Sequence, residues 1–273
     1  MIELADGPLR VTIDPLGAQL RSLRLDGVPY LYEGDSPFWP KSAPILFPVV
    51  GRCTGDLFLG RPMPRHGFAR DLLWKVGGRG GEFELVSSER TRAHYPFDFA
   101  LRARYAVEGT TLDCRYEVEN RGEVEMPFSF GLHPAFRWPL GDGPRDGWVV
   151  RFPRALDTER VFLEEGLRGE RREPVRGTTI ALSDALFADD ALVLRDPGTT
   201  AMVLESPHSP RKVVLDHSPV SWLGLWSIPR APFICLEPWQ GVAGKRDESS
   251  KKEGLLALPA RGRWGFQLTI RCC

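Results

Sequence analysis

The sequence has no surplus of charge and no long apolar run, and these absences exclude several classes of protein. It has 36 basic and 36 acidic side chains in 273 residues, so its formal net charge is zero. Proteins that coat nucleic acid usually carry a basic surplus. Its longest apolar stretches fall well short of the ~18 residues that a membrane span needs. The N-terminal residues also lack a basic segment followed by an apolar one, so we expect an unexported, cytoplasmic protein that binds neither nucleic acid nor membrane.

Cysteine is scarce and shows no pattern. The five cysteines are Cys53, Cys114, Cys235, Cys272 and Cys273. Their odd number and the lack of a CxxC pair argue against a disulfide framework and a zinc knuckle. The sequence also has no HExxH, no GxSxG and no GK[ST] motif, so it lacks the usual signs of a zinc enzyme, a serine hydrolase or a phosphate-binding loop.

Long helical periodicity is missing, and alternation with a period of two residues takes its place. Every second residue is apolar in 101–107, and after the turn at 108–111 the same holds for 112–118. This pattern predicts a hairpin with one buried face. Four other segments alternate in the same way, namely 9–13, 19–25, 201–205 and 263–270. With 28 Gly and 24 Pro distributed throughout, the sequence predicts an all-β protein, a large sandwich or barrel.

No internal repeat and no low-complexity linker divides the chain. We therefore expect a single domain over residues 1–273. The segments 168–176 and 244–254 are rich in charges of both signs, which is typical of solvated loops.

Two titratable residues stand directly before proline at the end of an apolar segment. They are His133, before Pro134, and Glu237, before Pro238. Because proline disfavours the α conformation in the preceding residue, we expect both residues to be extended and to lie at strand ends.

The neighbours of these two residues are unusual for strand interiors. Alternation in 128–133 puts His133 on the face of Ser129 and Gly131, whose small side chains would leave a cavity beside the imidazole. Glu237 continues an otherwise apolar face, which is costly unless the carboxylate has a partner or borders a water-filled cleft. Taken singly, each residue also fits a purely structural role, as a satisfied core histidine or a glutamate paired with an arginine.

A third segment, 64–70, places His66 directly before Gly67. A glycine at this position is typical of a tight turn or of close approach to a ligand.

Six segments, in this order, resemble the aldose 1-epimerase (galactose mutarotase) superfamily and, more closely, its LacX-like branch, which includes hexose-6-phosphate mutarotases. They are 38–52, 65–70, 130–136, 186–194, 223–227 and 235–241. Each match is modest, but the ordered set is specific and spans most of the chain. The resemblance implies a large antiparallel β-supersandwich.

The resemblance also implies roles for individual residues. Glu237 would be the general base and His133 the general acid. The sugar would be held by His66, Arg52 and an acidic residue, Asp190 in preference to Asp189. Trp239 joins this set because flat aromatic rings cover the apolar face of a pyranose.

The implied function is interconversion of the α and β anomers of an aldose by acid/base ring opening and reclosure, without a metal or other cofactor. The substrate would be a hexose or a hexose 6-phosphate, since Arg52, Arg65 and Arg70 could each hold a phosphate. We expect a monomer or homodimer. The alternative is a non-catalytic carbohydrate-binding or sugar-sensing protein on the same fold. A glycosidase is less well supported, because it needs a second carboxyl group across the scissile bond.

Overall fold

Strands make up about half of the chain. The computed structural model describes residues 1–34, 37–78, 80–246 and 252–273. No helix within these ranges exceeds four residues, which confirms the all-β prediction. None of them is long and apolar enough to span a membrane.

The first four strands form a separate antiparallel sheet in chain order. They are β1 (Ile2–Asp6), β2 (Leu9–Asp14), β3 (Gln19–Leu25) and β4 (Val28–Pro29). Alternation in β2 buries Leu9, Val11 and Ile13 completely, as the sequence pattern predicts.

The remaining elements follow in chain order. The strands are β5 (Ile45–Leu46), β6 (Leu57–Phe58), β7 (Arg61–Pro62), β8 (Lys75–Val76), β9 (Glu82–Val86), β10 (Phe99–Glu108), β11 (Thr111–Asn120), β12 (Met126–Phe128), β13 (Phe130–Leu132), β14 (Ala135–Arg137), β15 (Val149–Glu164), β16 (Leu167–Ala181), β17 (Leu192–Arg195), β18 (Ala201–Glu205), β19 (Val213–His217), β20 (Trp222–Trp226), β21 (Phe233–Gln240), β22 (Leu256–Leu258) and β23 (Arg263–Cys272). The short helices are a one-turn α-helix, α1 (Glu89–Arg92), and 3₁₀ turns at Thr54–Asp56, Ala69–Asp71 and Asp184–Phe187.

One large sheet of 15 strands contains most of these elements. Its order is β5-β13-β21-β20-β17-β15-β18-β19-β23-β11-β10-β9-β8, with β14 also pairing with β21 and β16 with β15. Every described strand pair within it is antiparallel. Two further pairs, β12 with β22 and β6 with β7, stand apart from it.

The predicted hairpin over 101–118 is confirmed. Strands β10 and β11 pair in a register that sets Tyr105 opposite Cys114, and the tight turn falls between Glu108 and Thr111. The alternating apolar residues of both strands face the core, and those of β23 join them on the same face.

The prediction of a loop over 168–176 is wrong, because this segment belongs to β16. It pairs along β15, with Arg176 opposite Asp157. Most of its side chains are exposed on both faces, so no apolar alternation marks it as a strand. Of the second charged segment, 244–254, residues 247–251 lie outside the described residues.

The main core joins the N-terminal sheet to the large sheet. Leu23 of β3 and Leu101 of β10 are both fully buried in the same apolar cluster. Across this junction, the Tyr105 hydroxyl donates a hydrogen bond to the carbonyl of Ala18 at 2.7 Å. All five cysteines are free thiols, and Cys273 is exposed while the other four are buried.

Candidate active site

A break between two short strands brings His133 and Glu237 together. Strand β21 pairs first with β14 and then with β13, and His133 lies in the gap between these two partners. His133 follows the last residue of β13, as predicted. Glu237 lies in the interior of β21 and not at a strand end, which corrects the prediction.

Proline is tolerated inside β21 because of the same break. Pro238 has no N–H to donate, so a central strand with two complete neighbours would lose a ladder hydrogen bond there. Neither β13 nor β14 contributes a residue that pairs with Glu237 or Pro238. The proline therefore sits where the ladder is already interrupted, and the adjacent carboxylate faces the imidazole.

The two side chains are in contact and almost completely buried. Nε2 of His133 lies 3.0 Å from Oε2 of Glu237. His133 is 7% exposed and Glu237 is 1% exposed. Their contact lacks the alignment of a good hydrogen bond, and neither Glu237 oxygen nor His133 Nδ1 has an aligned partner within the described residues. Both groups are thus available to a ligand.

Burial sets the electrostatics of Glu237. Removal from water raises the pKa of its carboxyl above the ordinary value of 4.5, while the imidazole of His133 and the indole N–H of Trp239 act in the opposite direction. The negative charge of Asp190 raises this pKa further.

The expected cavity beside Gly131 is filled by a ring. A Cβ at Gly131 would lie 2.6 Å from Cδ1 of Trp239. The small residue therefore makes room for the indole and not for a ligand. Trp239 packs over this glycine and is 5% exposed, with its remaining surface at the site.

His66 is held by a reciprocal pair of hydrogen bonds with Gly51. Its backbone N–H donates to the Gly51 carbonyl at 2.9 Å, and its Nδ1 accepts from the Gly51 N–H at 3.1 Å. Its φ of 66° lies in the left-handed region, which is uncommon for a residue with a side chain. The chain thus fixes the direction of the ring.

These contacts also fix the tautomer of His66. Burial, followed by the positive charges of His133, Arg70, Arg65 and Lys252, holds the pKa of His66 well below its usual value of 6.5. The ring is neutral near neutral pH, and because Nδ1 accepts a hydrogen bond, the proton lies on Nε2. His66 is therefore a hydrogen-bond donor.

Of the two aspartates that the sequence offered, Asp190 and not Asp189 reaches the cavity. It lines the same cavity as Glu237, and its φ of 68° is again in the left-handed region. Its Oδ1 accepts a hydrogen bond from the N–H of Ala191 at 2.8 Å. Asp189 is paired instead with Arg171 at 3.2 Å, so the structure favours Asp190 over it.

The cavity that these residues share has a volume of about 260 Å³, slightly below the range of about 300–1,000 Å³ that is usual for ligand-binding pockets. Five of the six predicted site residues line it: Glu237, His133, His66, Asp190 and Trp239. Trp39 and Trp226 form part of its wall, with ring centroids 5.5 Å apart. Polar groups at one end and indole rings beside them suit a ligand with hydroxyls on its edge and apolar C–H faces.

Arg52 is the predicted residue that the structure places elsewhere. Its Nε and Nη2 bind the two oxygens of Asp56 at 2.7 Å each, and its Nη1 donates to the Glu165 carbonyl at 3.1 Å. It does not line the cavity. Arg65 and Arg70 do line it, so the guanidinium groups at the site come from these two residues.

Trp39 is a cavity residue that sequence reasoning did not single out. Its ring centroid lies 4.9 Å from that of His133. It lies in a proline-bounded loop segment with no strand pattern, inside the resembling segment 38–52. That match was the one signal that could have found it.

Comparison with known proteins decides the family. The sequence pattern of the family described as Aldose 1-epimerase matches residues 1–245. The chain belongs to the aldose 1-epimerase family.

Relatives place this family member in the LacX-like branch. It is 31% identical to protein LacX of Lactococcus lactis over 270 residues, which cover 91% of this chain and 90% of LacX. The structure of a galactose mutarotase-like protein from Lactobacillus casei matches with a TM-score of 0.93 at 28% identity and covers 100% of both chains. A galactose mutarotase related enzyme from Lactobacillus acidophilus also gives a TM-score of 0.93, at 26% identity, over 99% of this chain and 96% of its own. The fold is therefore the galactose mutarotase type of β-supersandwich, as predicted.

Proposed function

We propose that this aldose 1-epimerase family member interconverts the α and β anomers of an aldose, with Glu237 as general base and His133 as general acid. The observation that carries the proposal is the buried contact between His133 and Glu237. Nε2 of His133 and Oε2 of Glu237 lie 3.0 Å apart on the wall of a sugar-sized cavity. The proposed reaction uses these side chains and no cofactor.

The reaction needs an acid and a base close together. The anomeric hydroxyl and the ring oxygen of an aldose are bonded to the same carbon, so a base for one and an acid for the other must be near neighbours. In the proposed step, Glu237 takes the proton of the C1 hydroxyl while His133 gives a proton to the ring oxygen, and the C1–O5 bond breaks to leave an aldehyde. General acid and base groups each contribute about 10²- to 10⁴-fold in rate.

Ring closure reverses both transfers. After rotation about the C1–C2 bond, the C5 hydroxyl attacks the other face of the aldehyde. His133 takes back a proton from that hydroxyl, and Glu237 returns its proton to the aldehyde oxygen, which becomes the anomeric hydroxyl on C1. The protein ends in its starting protonation state, so each turnover needs no exchange with solvent.

Other cavity residues orient the sugar in this proposal. His66 donates from Nε2 to a sugar oxygen, and the free oxygen of Asp190 accepts from sugar hydroxyls. Trp239 and Trp39 cover the apolar C–H face of the ring.

The charge of the cavity supports a phosphorylated aldose over a free one. The exposed guanidinium of Arg65 lies at the cavity wall beside Gly166. Arg70 lies next to it, with Nε buried and lacking an aligned hydrogen bond and 3.6 Å from the nearest oxygen of Asp71. Guanidinium groups match the geometry of phosphate oxygens. We therefore propose that a hexose 6-phosphate is preferred over a hexose.

The test is the decay of optical rotation of freshly dissolved sugars, with and without the protein. We expect faster decay with α-D-glucose 6-phosphate, and slower or no acceleration with α-D-glucose and α-D-galactose. Sugar binding without any acceleration would contradict the proposed activity and support the non-catalytic alternative.

The role of Arg65 has its own test. Arg65→Gln should lower kcat/KM for the phosphorylated sugar by about 10- to 100-fold, since a hydrogen bond to a charged group contributes roughly 1.5–3 kcal/mol. The rate on unphosphorylated sugar should be unchanged. Arg61→Gln, on an exposed strand outside the cavity, is the matched control. An equal loss of kcat/KM on both sugars would show that Arg65 does not bind the phosphate.

A further inference from the structure

Three different potential metal ligands lie close together beside the cavity. A ring nitrogen of His133, the Sγ of Cys235 and a carboxylate oxygen of Glu237 all lie within 4.8 Å of one another. Nitrogen, sulfur and carboxylate oxygen are the ligands that Zn²⁺ uses in proteins. We propose that these three side chains form an inhibitory site for a borderline-soft divalent cation, for which Zn²⁺ is the probe.

Two parts of the large sheet supply the three ligands. Alternation along β21 puts Cys235 and Glu237 on the same face, and His133 enters from the gap between β13 and β14. Cys235 is opposite Ala135 and is completely buried in the apolar cluster that contains both residues. The gap between β13 and β14 that brings His133 into contact with Glu237 therefore also brings it close to Cys235.

The ligands are buried and have unused coordinating capacity. Cys235 is 0% exposed and Glu237 is 1% exposed. Neither oxygen of Glu237 has an aligned hydrogen bond, nor does Nδ1 of His133. A buried carboxylate oxygen without a hydrogen-bond partner is costly, so coordination of a cation by Glu237 would offset part of that cost.

Zinc at this cluster would keep one open position but would require the side chains to adjust. Tetrahedral zinc with bonds of about 2.0–2.3 Å holds its ligand atoms about 3.5 Å apart, so atoms up to 4.8 Å apart would move closer, while Nε2 of His133 and Oε2 of Glu237, 3.0 Å apart, would separate slightly. The fourth position would face the cavity, because His133 and Glu237 line it. Zinc binds the thiolate, so its entry releases the Cys235 proton to solvent.

Inhibition follows because the cation would occupy both groups that transfer protons. This consequence rests on the proposed function, whereas metal binding itself does not. Cys235 does not line the cavity and has no part in the proposed proton transfers, so it can be changed separately from the reaction.

The first experiment measures mutarotation while Zn²⁺ is titrated, in a Cys273→Ser background that removes the exposed thiol. We expect inhibition that a chelator reverses. Mg²⁺ should have no effect, because it prefers oxygen ligands in octahedral geometry. Cys235→Ala should keep near-normal basal activity and raise the half-inhibiting zinc concentration by at least about 10-fold, the loss that even indirect partners of a metal cause.

Cys114→Ala is the matched control. It also removes a buried thiol from a strand of the large sheet, but its thiol is not part of the three-ligand cluster. Zinc inhibition of this variant should equal that of the background. Equal inhibition of the Cys235→Ala variant, or no inhibition of the background, would overturn the proposal.

A second readout does not depend on turnover. Binding of Co²⁺, a spectroscopic substitute for zinc, should give a thiolate-to-metal absorption band that disappears in Cys235→Ala. Glu237→Gln should weaken zinc binding in competition with a chelator. If this band and this binding are present but no sugar is turned over, the proposed function is wrong and the metal site stands. Absence of the band would contradict the metal site whatever the activity.

Discussion

At the scale of single residues, the chemistry of the site depends on a carboxylate that has been removed from water. Burial raises the pKa of Glu237, and the neighbouring charges of His133 and Asp190 act on it with opposite signs. A base with a raised pKa is a stronger proton acceptor and is still ionised above that pKa. The same burial that would strengthen Glu237 as the proposed base makes its charged form costly to the fold.

The pH dependence of activity should reflect these charges. In the proposed mechanism activity requires ionised Glu237, so it should fall as the pH drops through the raised pKa, above the ordinary value of 4.5. Asp190→Asn removes a negative charge that raises this pKa, so the acidic limb of kcat/KM should move to lower pH. KM should also increase, because a hydroxyl acceptor is lost. A pH–rate profile checks both effects, and an unmoved or upward-shifted limb would argue against the electrostatic account.

Stability should change in the opposite direction from activity when the charge is removed. Because the folded-state pKa of Glu237 is raised, its contribution to stability is complete below the unfolded pKa and is lost as pH rises through the folded pKa. At neutral pH the buried charge is therefore destabilising. Glu237→Gln should raise Tm at pH 7, and the difference from wild type should disappear below the ordinary carboxyl pKa. A lower Tm at pH 7 would mean that the contact with His133 outweighs the cost of burial.

At the scale of elements, the site depends on close backbone contacts around the segment that carries His66. A Cβ at Gly67 would lie 2.1 Å from the carbonyl oxygen of Phe47, and Gly67 has a φ of 73°. A side chain therefore cannot fit without moving the backbone. Glycine is required at position 67 because two chain segments approach each other closely there. The sequence predicted a tight turn or close approach to a ligand, and the structure shows close approach to the backbone of Phe47.

Two glycine substitutions separate this contact from backbone strain. Gly67→Ala should lower stability severely and displace His66, while Gly7→Ala should cost only about 1–2 kcal/mol for its left-handed conformation. Gly7 has a φ of 53° but open space around its Cβ position. Thermal unfolding measures both variants. Similar losses in the two variants would show that the contact with Phe47 is unimportant.

Sequence patterns predicted elements with one buried face and missed those without one. The hairpin of β10 and β11 was predicted because apolar residues alternate along both strands. Strand β16 was missed because solvent covers both of its faces, so nothing alternates. The placement of Arg52 could not be predicted either, since its pairing with Asp56 depends on the turn at Thr54–Asp56 and not on residue type.

At the scale of the whole molecule, the two sheets share one apolar core, so they should unfold together. Leu23 lies in the N-terminal sheet and is fully buried in the main cluster. Leu23→Ala should cost about 2–5 kcal/mol and shift a single transition, seen alike by circular dichroism and tryptophan fluorescence. Two separate transitions, with the variant affecting one of them, would contradict the single domain proposed for residues 1–273.

The fold brings His133 and Glu237, about a hundred positions apart in the chain, into contact at one cavity. The most direct test is the rate of mutarotation of Glu237→Gln compared with wild type, together with its affinity for the sugar. We predict a loss of about 10²- to 10⁴-fold in rate with sugar binding retained. A variant that binds sugar and turns it over at a near-normal rate would show that Glu237 is not the base.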